Sequence, residues 1–346
     1  MRFPHVDIVG PRKWWFGLSL AITVPGLIAV IICCFVFGAP LKPGIDFTGG
    51  SLTQYQFSKP VQLEDVRKIV ADFKDPNTNK AVFEGSQVQE ASMAGKQVII
   101  VRTKSLADDK QDEADRKLLD EQLKSKFGEA SGDASIVMSR DKVSGVVGPE
   151  LLHSGLLALF ITLGAMVLYI GSRFQYDFAV CAIIALFHDV LVLCGIFAIL
   201  SLVLGTEVDS LFISAVLTVI GFSVHDTIVV FDRIRENSKF VGSKVVDPQT
   251  GKEYRRTFGD IANDSVNQTL ARSIYTSLTV IITLTALYVL GGTTTRDFVL
   301  AMLIGIISGT YSSIFNASAL LVWWREQKMK KKGKGTPATA TAGATA

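Results

Sequence analysis

Five ionisable side chains lie within or at the edge of long apolar stretches of this sequence. They are two His-Asp pairs and one arginine: His188 and Asp189, His225 and Asp226, and Arg272. An ionisable side chain inside a membrane-spanning helix costs about 2.5–3.5 kcal/mol on insertion scales, so such residues usually have a function. Because a carboxylate in such a place can change between its charged and neutral forms, these residues favour proton transfer as their chemistry.

Asp226 is the strongest candidate for a proton carrier. It precedes Asp232, where the charges that end its apolar stretch begin, by six residues, or about 9 Å of helix. Arg272 lies at a comparable depth if its own helix begins near Ser265, so the spacing predicts an Asp226–Arg272 pair. The pair is either a structural salt bridge or a proton-carrying carboxylate beside its cation. An apolar pair is usually as stable as a buried ion pair, which favours the proton carrier.

The roles of the two histidines and of the second aspartate are less determined. Asp189 either accepts hydrogen bonds between helices, with His188 as its donor, or belongs with His188 to a proton path. His225 points roughly 100° away from Asp226 around a helix, so it is predicted to be a secondary hydrogen-bonding group. A zinc site is disfavoured because adjacent residues do not share one face of a helix.

The sequence contains no recognisable cofactor motif. Gly251 and Lys252 are followed by Glu253, whereas a phosphate-binding loop needs Ser or Thr there and a glycine five residues before Gly251. We therefore predict no nucleotide, metal or other cofactor and no enzymatic activity. Protons are the expected coupling ion, with sodium as the alternative, since a carboxylate among hydroxyls suits either.

Six apolar stretches position these residues. Of the whole chain, 49% is hydrophobic, and a soluble domain seldom concentrates that share into long uninterrupted stretches. About 20 helical residues cross the hydrocarbon core of a membrane. The sequence therefore predicts six transmembrane helices, over residues 14–37, 151–170, 178–204, 210–231, 269–290 and 298–324.

The positive charges predict the orientation of these helices. Lysine and arginine concentrate in residues 1–13, 232–268 and 325–346, whereas the short loops on the other side contain only Arg296. By the positive-inside rule, both termini and the charged loop 232–268 are predicted to be cytoplasmic. The basic tail 325–346 is predicted to anchor this orientation at membrane lipid rather than to bind nucleic acid, and to be disordered.

Residues 38–150, between the first two helices, are predicted to form a separate extracytoplasmic domain. Two segments of helical period alternate with four strand-like segments in the order β-α-β-β-α-β. This order is typical of an α+β domain of the ferredoxin-like type. The fold class is thus an α-helical membrane protein with one α+β domain, followed by membrane helices over 151–231 and 269–324. Such a fold alone indicates no function.

Five segments also carry a family resemblance. They are GIDFTGGSL after the first helix, VGPEL at the start of the second, GFSVHDTIVVFDRIREN in the fourth, NQTLARSIYTS in the fifth and GTYSSIFNASALL in the sixth. Together and in this order they resemble the SecF family. These proteins are the smaller membrane subunits of the bacterial SecDF translocation factor, in the RND superfamily. The resemblance covers residues 10–325.

The resemblance implies a location, partners and a mechanism. SecF pairs with SecD in a twelve-helix bundle of the bacterial inner membrane, beside the SecYEG channel and often with YajC and YidC. The pair uses the proton-motive force to promote late steps in the export of unfolded preproteins. The family's essential aspartate and arginine match Asp226 and Arg272. His225 stands where many relatives have asparagine.

Two functions from other classes compete with this expectation. One is an RND-type, proton-driven exporter of small molecules or lipids. The other is an intramembrane protease in which Asp189 and Asp226 share a proton as a catalytic dyad. The surroundings of a GxGD-type protease are missing from the sequence, and Arg272 would hold Asp226 charged.

Overall fold

The fold was analysed on a computed structural model of the chain. It describes residues 6–57, 60–74, 82–83, 86–93, 96–103, 109–128, 137–143, 147–246, 253–292 and 295–334. All statements on the structure concern these residues.

Six helices in the described ranges are long and apolar enough to cross a membrane, in agreement with the predicted number. We call them spans one to six in chain order. Span six consists of two α-helices joined by one π-helical segment, Ser312–Ala317. The spans are Arg12–Phe37, Val147–Arg173, Tyr176–Val203, Ser210–Asn237, Phe258–Leu290, and Arg296–Tyr311 continued by Ser318–Lys334.

Span five begins earlier than the sequence predicted. Its first residue is Phe258, not a residue near Ser265, because Thr257 and Asp260 form a capping box that satisfies the first backbone N–H groups. Most of the described residues of the predicted charged loop 232–268 thus lie in helices and strands. This loop contains the end of span four, a hairpin of β5 (Lys244–Val246) with β6 (Glu253–Arg255), and the first turns of span five.

Span six also differs from the prediction. The predicted helix 298–324 was continuous, but a π-helical turn interrupts it, and its helix then continues to Lys334. The prediction of disorder from residue 325 is thus wrong for residues 325–334, while residues 335–346 lie outside the described ranges. π-helical turns inside α-helices are frequent at functional sites.

The domain between spans one and two has the predicted ferredoxin-like topology. Its four strands form an antiparallel sheet in the order β2-β3-β1-β4, and two helices, Leu63–Asp72 and Asp109–Phe127, complete the β-α-β-β-α-β order. The strands are β1 (Gly50–Tyr55), β2 (Gln87–Met93), β3 (Lys96–Thr103) and β4 (Val137–Val143). Tyr55, Ile99 and Leu123 are almost fully buried in one apolar core between helices and sheet. We refer to this unit as the sheet domain.

Small residues bring the spans close together. A Cβ atom added at Gly26 of span one would lie 2.8 Å from the Cα atom of Gly195 in span three. In span six, Gly305 packs against Val219 and Gly309 packs against Ser223, both in span four. The small residues Gly305 and Gly309, four positions apart, thus allow span six to pack closely against span four.

Gly50, the first residue of β1, has a backbone conformation that residues with a side chain rarely adopt. Its φ angle is +141°, and an added Cβ atom would lie 2.4 Å from the carbonyl oxygen of Thr103 on β3.

We expect Gly50→Ala to lower the free energy of unfolding by about 1–3 kcal/mol. The alanine would have a strained backbone conformation, and its Cβ atom would clash with the carbonyl of Thr103. Denaturant unfolding of the detergent-solubilised protein measures this. Gly17→Ala, in open space on span one, is the control, and an equal effect of both substitutions would contradict the account.

Candidate functional site

Asp226 lies in the middle of span four and is 4% exposed. Its Oδ2 atom is buried and has no hydrogen-bond partner. Ser273 of span five lies beside it, and the buried hydroxyl of Ser273 has no hydrogen bond of good geometry either. A buried carboxylate oxygen without a partner is costly, and a proton, a bound cation or a small movement of the Ser273 hydroxyl toward it would each satisfy it.

The predicted direct ion pair between Asp226 and Arg272 is not present. No ion pair joins the two side chains: Oδ2 of Asp226 has no partner, and Arg272 is exposed on span five in this single chain. His225, one position before Asp226, is exposed as well, whereas Asp226 and its neighbour Thr227 are buried.

Asp189 is a second buried carboxylate, with no exposed surface. Its Oδ2 accepts hydrogen bonds from Ser223 of span four, at 2.5 Å, and from Ser312 of span six, at 2.7 Å. Its Oδ1 accepts one from Ser308 of span six and lies 3.1 Å from Nδ1 of His188. The interhelical hydrogen bonds that formed one interpretation of this pair are thus present. Membership of a proton path stays a prediction.

His188 lines a cavity of about 280 Å³ between spans one, three and six. Asn316, on the π-helical turn, lines the same cavity. Two buried atoms of these residues have no hydrogen-bond partner, Nε2 of His188 and Oδ1 of Asn316. Asn316 donates to Ser19 of span one at 2.6 Å. Asn316 is not among the residues predicted from the sequence, although an amide inside the predicted sixth helix was an available signal.

Hydroxyl groups continue the polar contacts between spans four, five and six. Thr227 and Ser313 are hydrogen-bonded at 2.8 Å, as are Ser277 and Thr310 at 2.6 Å. Other hydroxyls of span five, such as that of Thr276, donate to carbonyls in the preceding turn of their own helix. The hydroxyl-rich composition of span five thus serves both the helix itself and its contact with span six.

Asp189 and Asp226 have different surroundings. The hydrogen-bond partners of Asp189 are Ser223, Ser308, Ser312 and His188, and Asp226 is not among them. In the described part of the chain, no group of three or more His, Cys, Asp or Glu residues could hold a metal ion.

Comparisons with known proteins agree on one family. Residues 122–327 match the family described as protein export membrane protein SecD/SecF, C-terminal, and residues 35–61 match the SecD/SecF GG motif. A protein translocase subunit SecF from Thermobaculum terrenum is 43% identical over 97% of this chain and 99% of its own length. A subunit of the same name from Synechocystis is 37% identical over 92% of this chain and 95% of its own length.

Solved structures agree with the sequence relatives. A crystal structure of SecDF from Thermus thermophilus has a TM-score of 0.74 with this chain, at 29% identity over 94% of it. SecDF in a super-membrane-facing form gives a TM-score of 0.62, also at 29% identity. This chain spans 39% of the first SecDF chain and 40% of the second.

Proposed function

Because this chain belongs to the SecF family of protein translocase subunits, we propose that it promotes preprotein export together with SecD. The proposed source of energy is the proton-motive force. SecDF relatives carry a part similar to this chain within a much longer polypeptide, which supports SecD as its partner. The proposed assembly lies beside the SecYEG channel, with YajC and YidC as further partners. Its substrate is an unfolded preprotein.

The observation that carries this proposal is the buried, unpartnered Oδ2 atom of Asp226. Protonation would satisfy that oxygen and remove the attraction between Asp226 and Arg272, so spans four and five would repack. A membrane potential contributes about 2.3 kcal/mol per charge per 100 mV, which is enough to shift the balance between two arrangements of a bundle.

Three further residues have proposed places in proton transfer. His188 and Asp189 form a hydrogen-bonded pair that connects the cavity at span one to the serines of spans four and six. His225, exposed one residue before the buried Asp226, is proposed to exchange protons with it. In the proposed orientation both termini are cytoplasmic, the sheet domain is extracytoplasmic, and protons enter from its side.

The test is reconstitution of the chain with SecD and the translocon in vesicles. Preprotein export would be measured under an imposed pH gradient and, separately, under an imposed sodium gradient. We expect export to rise with the pH gradient and not with the sodium gradient. A response to sodium alone would reassign the ion that Asp226 binds, and export indifferent to both gradients would refute the proposal.

A further inference from the structure

The sheet domain is attached to the bundle at a third place, besides its two chain connections to spans one and two. The loop between spans three and four runs beside the segment that follows span one. The N–H of Val208 donates to the carbonyl of Lys42 at 2.9 Å, and the N–H of Gly44 donates to the carbonyl of Val208 at 2.8 Å. No pattern in the sequence predicts this contact, because the two segments are more than 160 residues apart.

Glu207 adds an ionic connection at the same place. Its carboxylate lies 3.0 Å from Nζ of Lys42 and 3.3 Å from Nε of Arg102, and its side chain is only 10% exposed. Arg102 belongs to β3, so Glu207 joins the loop before span four directly to the sheet. Ion pairs with so little solvent exposure are screened much less by salt than surface pairs.

Asp46 holds the first turn of span four from the other side. It lies in the short helix Ile45–Thr48, which only Gly49 separates from β1. Its Oδ2 atom accepts hydrogen bonds from both the backbone N–H, at 3.0 Å, and the hydroxyl of Ser210, the first residue of span four. A carboxylate at a helix N-terminus is favoured by the helix dipole as well as by these bonds.

Span two meets the same short helix. A Cβ atom added at Gly148 would lie 2.8 Å from the carbonyl oxygen of Phe47 and 2.9 Å from the backbone nitrogen of Gly49. Span two and the beginning of span four therefore both contact residues 42–49, which follow span one in the chain and lead into the central part of the sheet. We call residues 42–49 together with 207–210 and Arg102 the joint.

Span four connects the joint to Asp226 without interruption. It is a single α-helix from Ser210 to Asn237. Asp226 lies sixteen residues after Ser210, which corresponds to about 24 Å of helix. A shift or tilt of span four at Asp226 therefore reaches Asp46 and Glu207 through one continuous helix.

We propose that Asp46 and Glu207 are positioning residues for export: they make the sheet domain move with span four when Asp226 changes its protonation state. This inference rests on the proposed function. It predicts that breaking the joint separates two events that are coupled in the intact protein, proton uptake and work on the preprotein. A contact with a purely structural role would not separate them.

The experiment uses the double variant Asp46→Asn and Glu207→Gln in vesicles with SecD and the translocon. Proton uptake is followed with a pH-sensitive dye, and preprotein export is measured in the same vesicles. We expect proton uptake within about twofold of the unsubstituted chain and export lowered by about two- to thirtyfold, the range of known coupling effects. Glu236→Gln is the control, because it breaks an exposed ion pair with Arg233 at the other end of span four.

Two outcomes would overturn the inference: export at the unsubstituted rate, or equal losses of uptake and export in a variant that still assembles with SecD. Failure of the proposed function looks different, since the unsubstituted chain itself would then show no gradient-driven export. If the double variant does not assemble, the single variant Arg102→Gln tests the same ion pair with the same two measurements.

Discussion

Asp226→Asn should insert into the membrane and assemble with SecD, yet lose all export that depends on a pH gradient. Asparagine has the shape of aspartate but cannot take up or release a proton. Little stability should be lost, because the Oδ2 atom of Asp226 has no hydrogen-bond partner to lose. Export in reconstituted vesicles, with and without an imposed pH gradient, measures the effect, and the gradient-dependent part should fall to zero.

Asp232→Asn provides the matched control for this substitution. Asp232 lies on the same span, six residues later, and forms ion pairs with Arg173, at 3.1 Å, and with Arg235, at 3.0 Å. Since all three side chains are partly exposed, these pairs contribute about 0–1 kcal/mol, and gradient-driven export should stay near its unsubstituted level. Export by Asp226→Asn that still follows the pH gradient would show that the proton acts elsewhere.

Sequence periodicity was sufficient for the architecture because the signals for it are local. Apolar stretches of membrane length identified the six spans. The order of strand-like segments and segments with helical periodicity identified the sheet domain and its topology. The start of span five and the end of span six were not predicted correctly, because the first turns of span five and the last turns of span six are polar. Hydropathy therefore does not mark these turns as part of a membrane helix. Thr257 and Asp260 could have located the start of span five, since their spacing is that of a capping box.

Only those residues of the candidate site were predictable whose charge stands out within an apolar stretch of sequence. Asp189 and Asp226 are conspicuous because each interrupts an apolar stretch. Their partners are not, because Ser223, Ser308 and Ser312 come from two other helices and serine is common in such helices as a donor to its own backbone. The π-helical turn that presents Ser312 has no sequence signature, so the serine contacts to Asp189 required the assembled bundle.

Asp189→Leu should destabilise the protein strongly. The substitution removes the acceptor of three buried serine hydroxyls and the partner of His188 Nδ1. Of the three hydroxyls, that of Ser312 keeps a second acceptor, the carbonyl of Gly309. Breaking such a network costs about 2–5 kcal/mol of unfolding free energy. Denaturant unfolding in detergent measures this loss. Ser308→Ala is the control, because it removes one hydrogen bond and should cost only about 0.6 kcal/mol, the average for hydrogen bonds between membrane helices.

Asp189→Asn separates the structural role of this carboxylate from its proposed role in proton transfer. Asparagine keeps an acceptor oxygen for the serine hydroxyls, so most of the stability lost in Asp189→Leu should return. It cannot carry a proton, so proton uptake in vesicles should still fall. If Asp189→Asn is stable and takes up protons at the unsubstituted rate, Asp189 only ties spans three, four and six together. Asp226 would then act without a second carboxylate from this chain.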